Sequence, residues 1–412
     1  MNNPEVVTIG LGYIGLPTSA LIAKNKIKVL GVDINQEAVN TINAGSIHIY
    51  EPDLEEIVAE AVKEGYLVAN TVPVSAKVYL IVVPTPFKGN HEPDISYVEA
   101  ATKSVLPFLK SGDLFIIEST SPVGTTEKIA SLIYKERPEL ENELSVAYCP
   151  ERVLPGNIMH ELVHNDRVIG GVDEKSTEMA VNFYKRFVKG DLFETNARTA
   201  EMCKLVENSS RDVQIAFANE LSFICDKADI NVWELIKLAN RHPRVNILRP
   251  GCGVGGHCIA VDPYFIVSHY PLESRLIGRA REINNYKAFW CVEKINNEIL
   301  KFQNLHERKP KVALMGLAFK PNIDDLRESP AKYIVEKVMQ NYENNFCLVV
   351  EPNVKTYSDI SLHEANEAFK EADIVAILVA HDEFKRLNLN DENKIVLDLC
   401  GVSDTGKRAS LD

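Results

Sequence analysis

Hydrophobic and polar positions alternate in two rhythms along this chain. In the first half, short, largely apolar runs recur at Val6 to Ile9, Ile27 to Val32, Val78 to Val83, Leu114 to Ile117 and Val146 to Tyr148, separated by segments with helical spacing. Runs of this kind belong to a parallel sheet whose strands are covered on both faces. From about Thr199 to Ala228 the rhythm changes. The stretch AEMCKLVENSSRDVQIAFANELSFICDKA keeps helical spacing with no Pro or Gly and predicts one long helix, and a second helical stretch runs from about Ser274 to Leu300. The two flank a glycine-rich loop and predict a small helical middle domain. After HERKPK at His306 to Lys311 the first rhythm returns, with VALMGLAF, FCLVVEP, DIVAILVAH and KIVLDLC as four strands separated by helices. The expected fold is α/β: two Rossmann-like doubly wound domains joined by a helical middle domain with a long helix, at 1–195, 196–302 and 303–412.

The first strand leads into a turn that carries chemistry. Gly10-x-Gly12-x-x-Gly15, with Tyr13 and Ile14 inside it, follows a strand and opens a helix, and Asp33 ends the next strand. In that context the glycines bring backbone N–H groups and a helix N-terminus to a pyrophosphate, while the acid accepts from a ribose diol. A carboxylate there repels a 2′-phosphate, so NAD is expected over NADP. The later strands of the first half end in polar or proline-bearing loops: PTP with Pro84 and Thr85, ESTSPVG with Thr120, and CPER with Glu151 and Arg152. Ligands of open α/β sheets bind at such strand ends. The first turn of the second half, GLAFKP at Gly316 to Pro321, lacks the full fingerprint, so it is expected to bind a nucleotide differently or not at all.

Composition narrows the classes. At 412 residues, 45% hydrophobic and 25% charged, the chain has the make-up of a multidomain globular protein. No apolar run approaches the ~20 residues of a membrane helix, and MNNPEVVTIG enters a strand without a signal core, so no membrane association and a cytoplasmic location are expected. A net charge of -13 argues against nucleic acid. The eight cysteines are scattered without CxxC pairs, so no metal site is expected.

One of these cysteines stands apart. GCGVGGHCIAVDPYF, Gly251 to Phe265, sets Cys258 after four glycines, beside His257 and ahead of Asp262. Free cysteines are more often small buried hydrophobes than nucleophiles. A thiol in a flexible loop of an NAD-binding chain nonetheless points to covalent catalysis on a carbonyl. Lys204 and Asn208, four apart on the long helix, share one face; alone, that pair is as well explained by a solvated surface.

Together the motifs GLGYIGLP, VVPTP, ESTSPVGTT, CPERVLPGN, EMCKLVEN, GVGGHCIAVDPYF and GLAFKPNIDDLRESPA resemble, over essentially the whole chain, the nucleotide-sugar 6-dehydrogenases, the family of UDP-glucose dehydrogenase. Val261 stands where UDP-glucose enzymes tend to have a lysine, and the cysteine motif is similar to members acting on 2-acetamido sugars. The resemblance implies oxidation of a UDP-sugar at C6 in two hydride transfers to NAD, through a thiohemiacetal and a thioester on Cys258. It implies Lys204 and Asn208 as oxyanion donors and Asp262 as base or water-orienting carboxylate, with Glu151 and Thr120 holding the hydrolytic water. It places Arg152, Val153, Gly255, His257, Phe319 and Lys320 at the substrate, Arg327 near the phosphates and cofactor, and Arg244 in a loop that reaches a neighbouring subunit of a homodimer or higher homo-oligomer. A non-catalytic nucleotide-sugar sensor on the same fold is the rival from another class.

Overall fold

The computed structural model describes residues 3–154, 156–342, 346–358, 360–389 and 391–402, so the end of the third expected domain, 403–412, lies outside them. The chain divides into two compact units, 1–207 and 208–412.

The first unit is built on strands β1 (Val6–Ile9), β2 (Val29–Val32), β3 (Leu67–Asn70), β4 (Val78–Ile81), β7 (Leu114–Ile117), β8 (Ser145–Tyr148), β9 (Arg167–Gly171) and β10 (Leu192–Asn196), with a two-stranded hairpin of β5 (Phe87–Lys88) and β6 (Glu92–Pro93) beside them. The eight-stranded sheet runs β10-β9-β8-β7-β4-β1-β2-β3. Side chains alternate across it, so Val6 joins the core on one face and Val7 the core on the other. The chain leaves β1 first to one side and then to the other, and this reversal opens a crevice at the strand ends between β1 and β4.

One edge departs from the parallel pattern expected of the apolar runs. β8 pairs with β9 antiparallel, with Tyr148 opposite Gly170, while β9 and β10 are again parallel. The connection from β8 contains only the short helix Ile158–His164 and leaves the chain at the C-terminal edge of the sheet, so β9 enters from that edge. Mixed edges of this kind are common on otherwise parallel sheets. Its first residue, Arg167, therefore lies beside the end of β8.

The second unit begins within the long helix Ala197–Ala228, which extends the expected one by two residues at its start. It continues through helices Val232–Ala239 and Asp262–His269 to a second long helix, Arg275–His306. The second sheet holds β11 (Val312–Met315), β12 (Cys347–Val350), β13 (Ile374–Ile377) and β14 (Ile395–Asp398) in the order β12-β11-β13-β14, all parallel. Cys291, Ile295 and Ile299 of the second long helix share one core with Val312 and Leu314, so this helix covers one face of the sheet. Among the described residues, no helix is long and apolar enough to cross a membrane.

Candidate active site

The crevice of the first unit is formed by backbone rather than side chains. Gly10 leaves β1 at φ +95°, and a Cβ there would lie 2.3 Å from the Val82 carbonyl oxygen. A Cβ on Gly15 would lie 1.8 Å from the Gly10 oxygen, whereas one on Gly12 would meet nothing within 4 Å. Two glycines thus allow close packing, and the third leaves the turn open in front of the helix Gly15–Lys24. Tyr13 and Ile14 occupy the same turn, and Tyr13 is exposed. Asp33 accepts the Leu11 N–H on one carboxylate oxygen and the Asn35 N–H on the other, both at 2.9 Å. Each oxygen keeps a further lone pair, and the side chain is only partly buried, which fits a ribose diol. At the ends of the adjacent strands β4 and β7, the Thr85 hydroxyl donates to the Thr120 carbonyl at 2.7 Å, and the Val83 N–H donates to Ser119 Oγ at 2.9 Å. The loop of Pro84 and Thr85 and the loop of Thr120 are thus fastened together. Helix N–H groups, an open turn and an acid at the ribose position suit a dinucleotide such as NAD.

Beyond β8, a cluster of charges is buried at the sheet edge. Arg167 approaches Glu151 Oε2 at 3.0 Å, and the other oxygen of Glu151 accepts the N–H of Arg152 at 2.7 Å. Glu151 is thus held at both oxygens. The guanidinium of Arg152 pairs with Glu207 at 2.7 Å, and Val153 packs against the sheet core. Glu118 accepts the Tyr184 hydroxyl at 2.5 Å. Burial pushes the Glu118 carboxyl up to about 7 against the pull of Arg167, with Glu151 adding to the rise. Burial likewise pushes the Cys149 thiol up to about 12, as expected of an inert core thiol. Arg167 and Glu118 were not singled out in the sequence. Nothing in a run such as DRVIGG tells that its strand is reversed, and only the reversal brings Arg167 to Glu151.

The cysteine loop belongs to the second unit. The last three of its four glycines are packed rather than loose, and Gly253 and Gly256 have φ of +133° and +83°. A Cβ on Gly255 would lie 2.5 Å from the Glu328 oxygen, and one on Gly256 would lie 2.8 Å from the Phe319 ring. The Gly256 N–H donates to the Arg327 carbonyl at 3.1 Å. Phe319 therefore lies against the turn that precedes the thiol. The Cys258 carbonyl accepts the N–H groups of Val261 and Asp262 at 2.9 and 2.8 Å, which seats the residue one turn ahead of the helix Asp262–His269. Its sulfur is partly exposed and lies 3.7 Å from His257 Nδ1. Asp262, only 2% exposed, accepts the Asn208 amide at 2.5 Å. The cysteine turn and the long helix are thus tied through the two polar side chains singled out in the sequence. Lys204 lies one turn before Asn208 on that helix, which runs across the division between the units.

The remaining candidates are more dispersed. Lys320 is exposed beside Phe319. The Arg327 guanidinium grips Asp325 at 2.6 to 3.0 Å. Burial alone would raise the Asp325 carboxyl, but the bonds from Arg327 outweigh it and hold it below the usual range. Arg244 is exposed in the loop after Val232–Ala239, its N–H donating to His242 at 3.3 Å. Among the described residues, no three His, Cys, Asp or Glu side chains are grouped to hold a metal.

The second Rossmann-like turn copies the first with one change. Gly316, at φ +108°, donates its N–H to the end of β12 as Gly10 does to the end of β2, each at 2.8 Å. The acid that follows, Glu351, accepts the N–H groups of Leu317 and Ala318 at 2.7 and 3.0 Å. Unlike Asp33, its side chain is completely buried, so it has no face to offer a ribose.

Comparison with known proteins matches these features. Residues 4–188 match the NAD binding domain of the UDP-glucose/GDP-mannose dehydrogenase family, 198–286 its central domain and 313–405 its UDP binding domain. The UDP-N-acetyl-D-mannosamine dehydrogenase of Escherichia coli K12 is 53% identical, with 98% of this chain and 100% of that protein covered. An NDP-N-acetyl-D-galactosaminuronic acid dehydrogenase of Ralstonia nicotianae is 51% identical over 96% of each chain. A solved UDP-D-ManNAc dehydrogenase from Pyrococcus horikoshii superposes with a TM-score of 0.86 at 38% identity, covering 97% of this chain and 96% of that one. With all three of its domain models matched in order, the chain belongs to the UDP-glucose/GDP-mannose dehydrogenase family.

Proposed function

We propose that this chain oxidises C6 of UDP-N-acetyl-D-mannosamine to the carboxylate, with two NAD molecules reduced per sugar. The supporting observation is a partly exposed thiol, Cys258, seated one turn from a buried Asp262–Asn208 pair, in a chain 53% identical to a UDP-N-acetyl-D-mannosamine dehydrogenase.

Bound NAD supplies the hydride acceptor for each oxidation. Asp262, held by Asn208, takes the proton of the C6 hydroxyl as the alcohol becomes an aldehyde. Cys258 Sγ then bonds to C6, and its thiol proton passes to the new oxyanion to give a thiohemiacetal. Lys204 and Asn208, on one helix face, stabilise the oxyanion. The second oxidation leaves a thioester, and water oriented with Glu151 and Thr120 adds to it. The C6–S bond breaks, and Cys258 recovers its proton. In sum, one alcohol, one water and two NAD give one carboxylate, two NADH and three protons. The thioester holds the reactive carbon while cofactor is exchanged.

His257, Gly255, Phe319 and Lys320 are assigned to the UDP-sugar, with Arg152, Val153, Arg244 and Arg327 in supporting roles at substrate and cofactor. The chain is assigned a homodimer built on its helical region, because Phe217, Ile224, Tyr286 and Phe289 leave large apolar side chains exposed on the two long helices. Use of NAD and a nucleotide sugar, with no membrane helix among the described residues, supports a cytoplasmic enzyme feeding synthesis of a polysaccharide or glycan.

The Ralstonia relative favours one second reading, a galacto-configured 2-acetamido substrate. Both readings are tested with one preparation and four sugars: UDP-N-acetylmannosamine, UDP-N-acetylgalactosamine, UDP-N-acetylglucosamine and UDP-glucose. UDP-N-acetylmannosamine is expected to give the highest kcat/KM, with about two NADH per sugar, and UDP-glucose the lowest, since a site that pairs the acetamido group rejects sugars lacking it by up to ~10⁴-fold. UDP-glucose leading the series, or one NADH per sugar, overturns the assignment.

A further inference from the structure

The buried acid of the second sheet has a partner with no counterpart in the first. His381, in the loop four residues beyond β13 and fully buried, places Nε2 3.2 Å from Glu351 Oε2. Its other nitrogen, Nδ1, accepts the backbone N–H of Asn322 and the side-chain amide of Asn353, each at 3.0 Å. This fixes the tautomer, because an accepting Nδ1 leaves the ring proton on Nε2, where it is donated to the carboxylate. Glu351 meanwhile accepts Leu317 and Ala318 at the start of the GLAFKP turn and the Asn353 N–H at 3.0 Å. Burial works against its charge, yet the bonds from His381, Leu317 and Asn353 outweigh it and hold the carboxyl at about 2.

The pair therefore grips the turn at both ends. Glu351 holds residues 317 and 318, His381 holds residue 322, and Phe319 and Lys320 project from the span between. Asn322 has a left-handed φ of +61°, and its side chain exchanges two bonds with Asp382, at 2.9 and 3.0 Å, so its N–H is aimed at the imidazole. Phe319 in turn packs on Gly255 and Gly256, ahead of Cys258.

We infer that His381 is a positioning residue for the nucleotide sugar: with Glu351 it fills the ribose position of the second Rossmann-like crevice and uses it to fix the loop that presents Phe319 and Lys320. The inference rests on the assignment of those two residues to the UDP-sugar. A diphosphate bound at this loop meets a span already held in place, so little ordering is needed on binding.

The test uses the full-length protein with UDP and NAD as separate calorimetric probes. His381→Gln keeps an N–H donor for Glu351 but removes the acceptor that holds Asn322; His381→Asn keeps an acceptor near the position of Nδ1. The expected result is a UDP Kd raised at least ~10-fold in the Gln variant and within threefold of wild type in the Asn variant, with the NAD Kd unchanged in both. An unchanged UDP Kd in folded His381→Gln overturns the inference, as do equal losses in both variants that follow their melting temperatures. Should neither variant fold, Asn322→Gly, which suits the left-handed φ and cuts the ties to Asp382, is expected to raise the UDP Kd likewise; no change overturns the inference. Wild-type protein that binds UDP but oxidises no UDP-sugar refutes the substrate assignment alone, and wild type that fails to bind UDP overturns the inference.

Discussion

Cys258 differs from the buried thiols in being partly exposed and in having its carbonyl committed to the first turn of a helix, so that its sulfur stands at a fixed place beside His257. Replacing it by Ser leaves that backbone seat intact but supplies a poorer nucleophile and leaving group. Turnover in Cys258→Ser is expected to fall by at least ~10³-fold, with the UDP Kd within threefold of wild type; near-normal NADH formation would remove the thiol from the mechanism. Glu118 makes a second residue-scale test, because its carboxyl titrates near 7 in the fold and near 4.5 in the unfolded chain. Between these values the folded protein keeps a proton that the unfolded chain releases, so this group lowers stability as pH rises from about 4.5 to about 7. The cost levels off above that, at up to about 3 kcal/mol. Glu118→Gln retains the oxygen that accepts from Tyr184 and cannot ionise. Its melting temperature relative to wild type is therefore expected to climb between pH 5 and pH 7.5, and a flat or falling difference would contradict the assignment.

At the scale of elements, the reversed strand β9 has the largest effect on the site of the first unit. It brings Arg167 to the end of β8, with Glu151 and Glu118 around it, so two carboxyls face one guanidinium. Arg167→Met leaves Glu151 buried without its cation and is expected to destabilise the protein by about 3–5 kcal/mol, read from urea denaturation. A loss under 1 kcal/mol would show the pair to be incidental. This strand also marks the limit of what the sequence discloses. β1, β2, β4, β7 and β8 of the first sheet, the four strands of the second and both long helices were legible because each buries an apolar face with a distinct period. The fingerprint glycines and Asp33 were legible because backbone close approach demands particular residues at particular spacings. Strand direction, however, depends on where a connection ends rather than on side-chain pattern, so β9 and its arginine were not. His381 escaped notice for a related reason: a histidine closing DIVAILVAH reads as one more residue after an apolar run until the sheet order brings it to Glu351 across the end of β11. β3 was missed because its apolar part is only three residues long before the exposed Asn70, and β10 because exposed Phe193, Glu194 and Asn196 leave no apolar run.

For the whole molecule, the expected assembly is the feature most open to measurement. Phe217 and Ile224 lie on one long helix, Tyr286 and Phe289 on the other, and all four are between 46% and 56% exposed. Apolar area of this kind on two helices is stable in water when a second copy covers it. Sedimentation is expected to show a dimer for the wild type and a monomer for a Phe217→Asp, Phe289→Asp double variant. A dimer surviving both substitutions would move the interface elsewhere.

Asp33 remains open to a ribose while Glu351 is sealed by His381, so of the two Rossmann-like turns only the first has an acid free for a dinucleotide. An enzyme with one such crevice that must extract four electrons has to empty and refill it in the middle of every cycle. Mass action then counts the cofactor twice: the position of equilibrium follows the square of the NAD to NADH ratio, and a tenfold fall in that ratio weakens the driving force by two factors of ten, about 2.8 kcal/mol. On the mechanism proposed above, NADH also competes at two points of the cycle, before the sugar has reacted and while it is bound to Cys258. Output of the uronic acid is thereby tied more steeply to the redox balance of the cell than that of a dehydrogenase using a single NAD.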